Sequence, residues 1–186
     1  MNTLNGLPAH ILLVHAVVVL LPLTALLLVL SAVWPAARHR LAGANAILAG
    51  VVVVLVPVTT EAGEWLEHRV TATPLVRAHA ELGDTALIVA IPVALLALAI
   101  WWRDRESREI QAIDTAGSGS SAVQRRRRAF LAPASATVTV VISILAVVSA
   151  GAAVYDTYRI GDSGAQASWQ GKFSTTPSRT AGFGGG

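Results

Sequence analysis

The chain has 186 residues, 54% of them hydrophobic and only 13% charged, with a formal net charge of +3 and a mean hydropathy of +0.60. This composition excludes an ordinary soluble domain and suits one compact membrane unit; the basic residues cluster beside apolar runs, so their excess implies topology and no nucleic-acid partner. The absence of cysteine excludes disulfides, thiolate metal sites, iron–sulfur clusters and covalent haem attachment, so any metal or cofactor has to use histidine, carboxylate or backbone.

Residues 7–33 are nearly all Leu, Val, Ala and Ile, longer than the roughly 20 helical residues that a hydrocarbon core requires. No Lys or Arg precedes this run, whereas Arg38 and Arg40 follow it. That pattern is a poor cleaved signal peptide and orients the amino terminus outward. Asn5 is a plausible cap, Pro8 fits the first turn, and Pro22 predicts a kink. Residues 41–60 form the second span, with Ala42, Ala46 and Gly50 at four-residue spacing, and the helix is expected to extend to 68. Its phase predicts a packing stripe of Gly43, Ile47, Gly50, Val54, Pro57, Glu61, Glu64 and His68.

Thr73 and Pro74 form a cap and first-turn pair for a third helix over 74–102, whose small-residue face carries His79, Gly83, Ala86, Ala90, Val93 and Ala97. A polar cytoplasmic loop over 103–129 ends in Arg125, Arg126, Arg127 and Arg128, a run read as topogenic. The fourth span covers 130–158, with Pro133 in its first turn and Ala136, Thr139, Ser143, Ala146, Ala150 and Ala153 on one face. Residues 161–186 are rich in Gly, Ser and Thr and are expected to form a mobile tail.

Nine of the fourteen basic residues follow spans one and three, while the opposite side carries five, together with seven of the eleven acids. The first side is therefore expected to be cytoplasmic, with Trp34, Trp101 and Trp102 at its interface. The expected fold is all-α: a polytopic four-transmembrane-helix bundle over residues 1–160 in the plasma membrane, with both termini outside.

Counting outward along each helix from the inner level places His10, His15, Glu61, Glu64, His68, His79, Tyr155 and Asp156 in one layer about 12 Å deep. His39 falls at the other side and reads as a solvated surface residue. His15 lies inside an apolar run, where an ionisable group is expected to face the bundle interior; a satisfied structural histidine is the competing reading. His10 is five residues away, about 140° around the helix, so the two cannot chelate one ion. His79 lies on a packing face near water, and His68 suits an exposed helix end. Glu61 and Glu64, one turn apart, suit metal ligation or proton acceptance; the bland reading is that they bond a buried histidine or cap a neighbouring helix.

The opening GLPAHILLVHAVVVLLP resembles the start of a bacterial four-helix membrane family, domain of unknown function twenty-two thirty-one. Its usual G-x-P-x-H-P-x-x-V-H-F-P opening is matched by Gly6, Pro8, His10 and His15, with departures at Ile11, Ala16 and Val17. TTEAGEWLEHRVTATPLVRAHAELGD is similar to the actinobacterial form of a second signature, containing His79 and Glu81, and Gly151 to Trp169 resembles the last helix and its following motif. The resemblance implies a four-span fold without an established activity. Relatives joined to Rieske-type or cytochrome-type modules imply redox work.

The leading expectation is a small redox subunit whose outer-leaflet histidines bind a b-type haem or a transition metal ion, exchanging electrons with quinone or an extracytoplasmic redox protein. His15 and His79 are the expected axial pair, with His10 the substitute for either, and Glu61 and Glu64 tune the site, accept protons or join a bare metal ion as ligands. The alternatives are a proton-coupled transporter or channel component, whose conducting path would need a homo-oligomer, and a purely structural membrane subunit. Hydrolase chemistry is disfavoured, because the sequence has no H-E-x-x-H helix, G-x-S-x-G elbow or P-loop.

Overall fold

The computed structural model describes residues 3–4, 6–115, 131 and 135–172. Two short strands, β1 (Thr3–Leu4) and β2 (Leu7–Pro8), pair antiparallel with Thr3 opposite Pro8. Gly6 turns the chain between them at φ 79°, a region that favours glycine. Helices follow: α1 (Ala9–Val33), α2 (Pro35–Glu67), α3 (Pro74–Gly83), α4 (Thr85–Thr115) and α5 (Ala136–Trp169). The runs Ala9–Val33, Pro35–Glu67, Pro74–Ala112 and Ala136–Trp169 are each long and apolar enough to cross a membrane, which makes the chain a mostly helical, multi-pass membrane protein.

The helices α1 and α4 each pack against both α2 and α5, which closes the long helices around a shared core, and α3 lies on α5. The core is lined by small side chains, including Ala25, Ala32, Ala42, Ala49, Ala86, Ala90, Ala97, Ala146 and Ala153, with Leu21, Leu28, Val52, Val56 and Val93 filling its middle. Bulky apolar side chains face outward, as Ile47, Val54, Ile88 and Val148 do. Lipid solvates these as well as a protein interior would, so close helix approach selects small residues inside and leaves large ones at the surface.

That logic explains where α2 departs from the expected phase. Its buried face is Ala42, Asn45, Ala49, Val52, Val56, Thr59 and Ala62, whereas Ile47, Gly50, Val54, Pro57, Glu61, Glu64 and His68 of the expected stripe are exposed and Gly43 faces Trp101. The offset alternates between one and two residues, about 150° of rotation. On α4 and α5 the small-residue faces are buried as expected, through Ala86, Ala90, Val93 and Ala97 and through Ala146, Ala150 and Ala153.

Several boundaries also differ. Trp34 adopts an extended conformation and Pro35 starts α2 at once, so Arg38, His39 and Arg40 occupy its first turns instead of a loop. The expected single helix over 74–102 is divided at Asp84, and Thr73 caps its first part by accepting a hydrogen bond from the Val76 N–H. Residues 103–115 are helical instead of looped, and 161–169 continue α5 instead of beginning a tail. Helix α1 is unbroken through Pro22. The expectations for Asn5, Arg125 to Arg128, Phe130, Pro133 and residues 173–186 lie outside the described residues.

Candidate functional site

His10 sits in the first turn of α1, three- and four-residue steps from the buried positions Leu21, Thr24, Leu28 and Ser31 by way of Val14 and Val17. It therefore continues the packed stripe to the helix end. Its Nδ1 lies 3.0 Å from the carbonyl oxygen of Thr59 on α2. A carbonyl can only accept, so Nδ1 carries the proton and, in the neutral ring, Nε2 keeps the lone pair. The imidazole lies in a groove opened by Gly63, where a Cβ would stand 2.9 Å from its Cε1 and Nδ1.

His79 is held in a parallel way from α3. Its Nδ1 lies 2.9 Å from Ser163 Oγ on α5, and that hydroxyl donates to the Ile160 carbonyl at 2.9 Å. With its one proton committed to Ile160, Ser163 accepts from His79, which again puts the imidazole proton on Nδ1. Gly164 opens the groove here: a Cβ would stand 3.0 Å from His79 Cε1. The two imidazole rings meet edge to face, their centroids 6.3 Å apart and their planes at 76°. Two histidines 69 positions apart in sequence are thereby brought together at one end of the bundle, each oriented by an oxygen from a further helix.

The structure separates the other expected members from this pair. His15 is exposed on the outer side of α1, and its Nδ1 lies 2.5 Å from the carbonyl of Ile11 on its own helix. The 140° step between positions 10 and 15 decides this outcome: with His10 inside, His15 cannot be. Glu61 and Glu64 are exposed, while Thr59, Ala62 and Gly63 take the inner positions. His68 ends α2 as an exposed residue, Nδ1 2.7 Å from the Glu64 carbonyl, in keeping with its expected surface role. Among the described residues no three His, Asp or Glu side chains come together as a metal-binding group.

One buried acid accompanies the pair. Asp156, only 7% exposed on α5, lies seven residues before Ser163, about 10 Å deeper along the helix. Its Oδ1 lies 2.8 Å from the hydroxyl of Thr85, whose oxygen is also 2.7 Å from the Leu82 carbonyl, while Oδ2 is buried without a partner among the described residues. Neighbouring Tyr155 points outward.

At the other end of the bundle, His39 is exposed, as expected of a solvated residue, and also pairs with a buried acid. Its Nδ1 lies 2.6 Å from the carboxylate of buried Asp104, which Arg108 also approaches at 2.5 Å. Arg108 further donates to the His39 carbonyl, tying α2 to α4. The early start of α2 is the cause, because it brings His39 against the last turns of α4. Trp34 and Trp102 are exposed at this end, as an aromatic belt requires.

Sequence reasoning did not single out Gly63, Ser163 and Gly164, and it gave Thr59 and Thr85 no role. Gly63 carried a usable signal, since it sits one turn after Thr59 in an otherwise bulky helical run. Ser163 did not, because GDSGA looks like tail composition. Comparison with protein-family models, curated proteins and solved structures gives no match to this chain.

Proposed function

We propose that His10 and His79 form a two-imidazole ligand pair for a metal-centred cofactor, b-type haem in preference to a bare ion, and that the protein is a small membrane electron-transfer subunit. The observation that carries this reading is the pairing itself: two imidazoles from different helices lie ring to ring, each with its Nδ1 held by an oxygen acceptor, so Nε2 is the atom of each neutral ring that would take a metal.

The number of ligands favours haem. Bare zinc sites draw three or four ligands from the protein, whereas haem iron would need only one or two side chains from the chain. With His15, Glu61 and Glu64 turned outward, two imidazoles are what the described residues offer at this end. When bound, haem supplies one-electron transfer. The chain's residues do the rest: the Thr59 carbonyl and the Ser163 hydroxyl hold a proton on each Nδ1, and Gly63 and Gly164 let each ring settle against its helix. The resemblance of the GLPAHILLVH opening to a family with redox-linked relatives agrees with this assignment.

We assign the histidine end to the extracytoplasmic side of the plasma membrane, because Arg38, Arg40, Arg103, Arg105 and Arg108 gather at the opposite end. Quinone or an extracytoplasmic redox protein would then be the exchange partner. The apolar middle formed by Leu21, Leu28, Val52, Val56 and Val93 weighs against a transport path through one copy.

The test is to purify the protein in mild detergent from cells supplied with haem and metals, then record oxidised and reduced visible spectra and assay metals on the same sample. The proposal expects a Soret band and sharpened α and β bands on reduction. Stoichiometric metal without these bands would move the assignment to a bare ion at the same pair. A clean protein carrying neither would overturn it.

A further inference from the structure

We infer that α3 is a hinged gate over the histidine pair, turning about Asp84 and fastened to α5 by two side-chain contacts, His79 with Ser163 and Thr85 with Asp156. As an entry route for a ligand the gate rests on the cofactor reading of the pair; as a motion it is testable in protein that carries no cofactor.

The helix has a joint at each end. The residue pattern suits one helix through this region, yet α3 stops at Gly83 and α4 starts at Thr85. Between them the Asp84 N–H turns to the Leu82 carbonyl, two residues back, where a continuous helix would reach four residues back. The Thr85 hydroxyl lies 2.7 Å from that same carbonyl and 2.8 Å from Asp156 Oδ1, so a contact with α5 holds the break in place. At the other end, residues 68–73 join α2 to α3 without helix, and 68–72 are exposed.

Between the joints α3 is shallowly seated. None of its residues is buried, and its inner stripe of Leu75, Val76, His79 and Ala80 is only half-buried. By contrast, α4 sinks Ala86, Ala90, Val93 and Ala97 into the core just beyond the hinge. A segment with few buried apolar contacts opens at a free energy well below that of the whole fold. Polar contacts therefore carry much of what holds α3 down: the 2.9 Å bond from His79 to Ser163 and, behind the hinge, Thr85 against Asp156. A carboxyl that is 7% exposed with one unpartnered oxygen is a poor core filler, but as the anchor of a hinge it has a use. Lifting α3 off α5 carries His79 away from His10 and opens the groove beside Gly164. A ligand bound to both imidazoles would hold the gate shut, because only the closed arrangement brings the two rings together.

The experiment is amide hydrogen exchange, read by mass spectrometry, on the full-length cofactor-free protein in mild detergent. The inference expects amides of residues 76–83 to exchange about tenfold or more faster than those of 88–97. Ser163→Ala and Asp156→Ala should each speed exchange in 76–83 by about two- to twelvefold, the loss of one side-chain bond, and leave 88–97 unchanged. Asp156→Asn keeps an oxygen for Thr85 and should exchange like the parent. So should Thr157→Val, which removes a hydroxyl bonded within α5 to the Ala153 carbonyl. Equal protection of 76–83 and 88–97 in the parent would overturn the inference. So would unchanged exchange in 76–83 of folded Ser163→Ala and Asp156→Ala, or an increase that spreads equally to 88–97. Failure of the cofactor reading would show instead in the visible spectrum, which this assay does not use.

Discussion

Gly63→Ala is a local test of how the histidine end is built. The added methyl would stand 2.9 Å from His10 Cε1 and Nδ1, closer than carbon atoms approach without something moving. The ring must then shift, or α1 and α2 must part, and either movement strains or breaks the 3.0 Å bond to the Thr59 carbonyl. Overpacking of this kind costs about 1–3 kcal/mol, and the lost hydrogen bond about 0.5–1.5 kcal/mol. Removing a helical glycine returns about 0.5–1 kcal/mol, which leaves a net loss of about 0.5–4 kcal/mol. Gly50→Ala and Gly151→Ala are matched controls, because nothing lies within 4 Å of a Cβ at either position. They should be neutral or slightly stabilising. The assay is reversible unfolding in detergent, monitored by circular dichroism and expressed as the difference between Gly63→Ala and Gly50→Ala. If Gly63→Ala is as stable as the controls, His10 does not lie in that groove and the reasoning fails.

Other substitutions test the remaining contacts. Ser163→Ala removes the acceptor of the His79 N–H and should cost about 0.5–1.5 kcal/mol in the same assay; unchanged stability together with an unchanged His79 nitrogen NMR signal would argue against the bond. Asp104→Ala leaves His39 and Arg108 without their shared carboxylate and should cost about 1–2 kcal/mol, moderated because both partners are half exposed. A loss too small to measure would mean that the contact between α2 and α4 gains nothing from that cluster. Asp156→Asn keeps an oxygen for Thr85 and replaces a carboxyl whose Oδ2 has no partner among the described residues, so the unfolding temperature should hold or rise. A clear fall would imply that the ionised carboxylate is satisfied by something other than protein.

Much of the bundle was legible because a membrane-spanning helix announces itself by length and hydropathy, and small residues at three- and four-residue spacing mark close packing. Both signals identified the faces of Ala86 to Ala97 and Ala146 to Ala153. The same spacing misled in α2, where Gly50 belongs to one stripe and Ala42, Asn45 and Ala49 to another, about 150° apart around the helix. That difference in phase carried Glu61 and Glu64 to the outside. In α1, depth in the apolar run pointed to His15, yet the buried Thr24, Ala25, Ser31 and Ala32 define a stripe that leads back to His10. Nearness to the middle of the membrane is therefore a weaker guide than phase when both positions lie on one helix. Ser163 was beyond reach, since nothing local distinguishes a serine that orients an imidazole from one in a glycine-rich tail.

The most direct test of the central claim is the reduced-minus-oxidised visible spectrum of the purified protein and of His10→Ala, His79→Ala and His15→Ala, each prepared from haem-supplied cells and checked for helicity. The account predicts a b-type spectrum in the parent protein and in His15→Ala, and its loss in both His10→Ala and His79→Ala. A spectrum that survives His10→Ala but disappears in His15→Ala would contradict the pairing of His10 with His79.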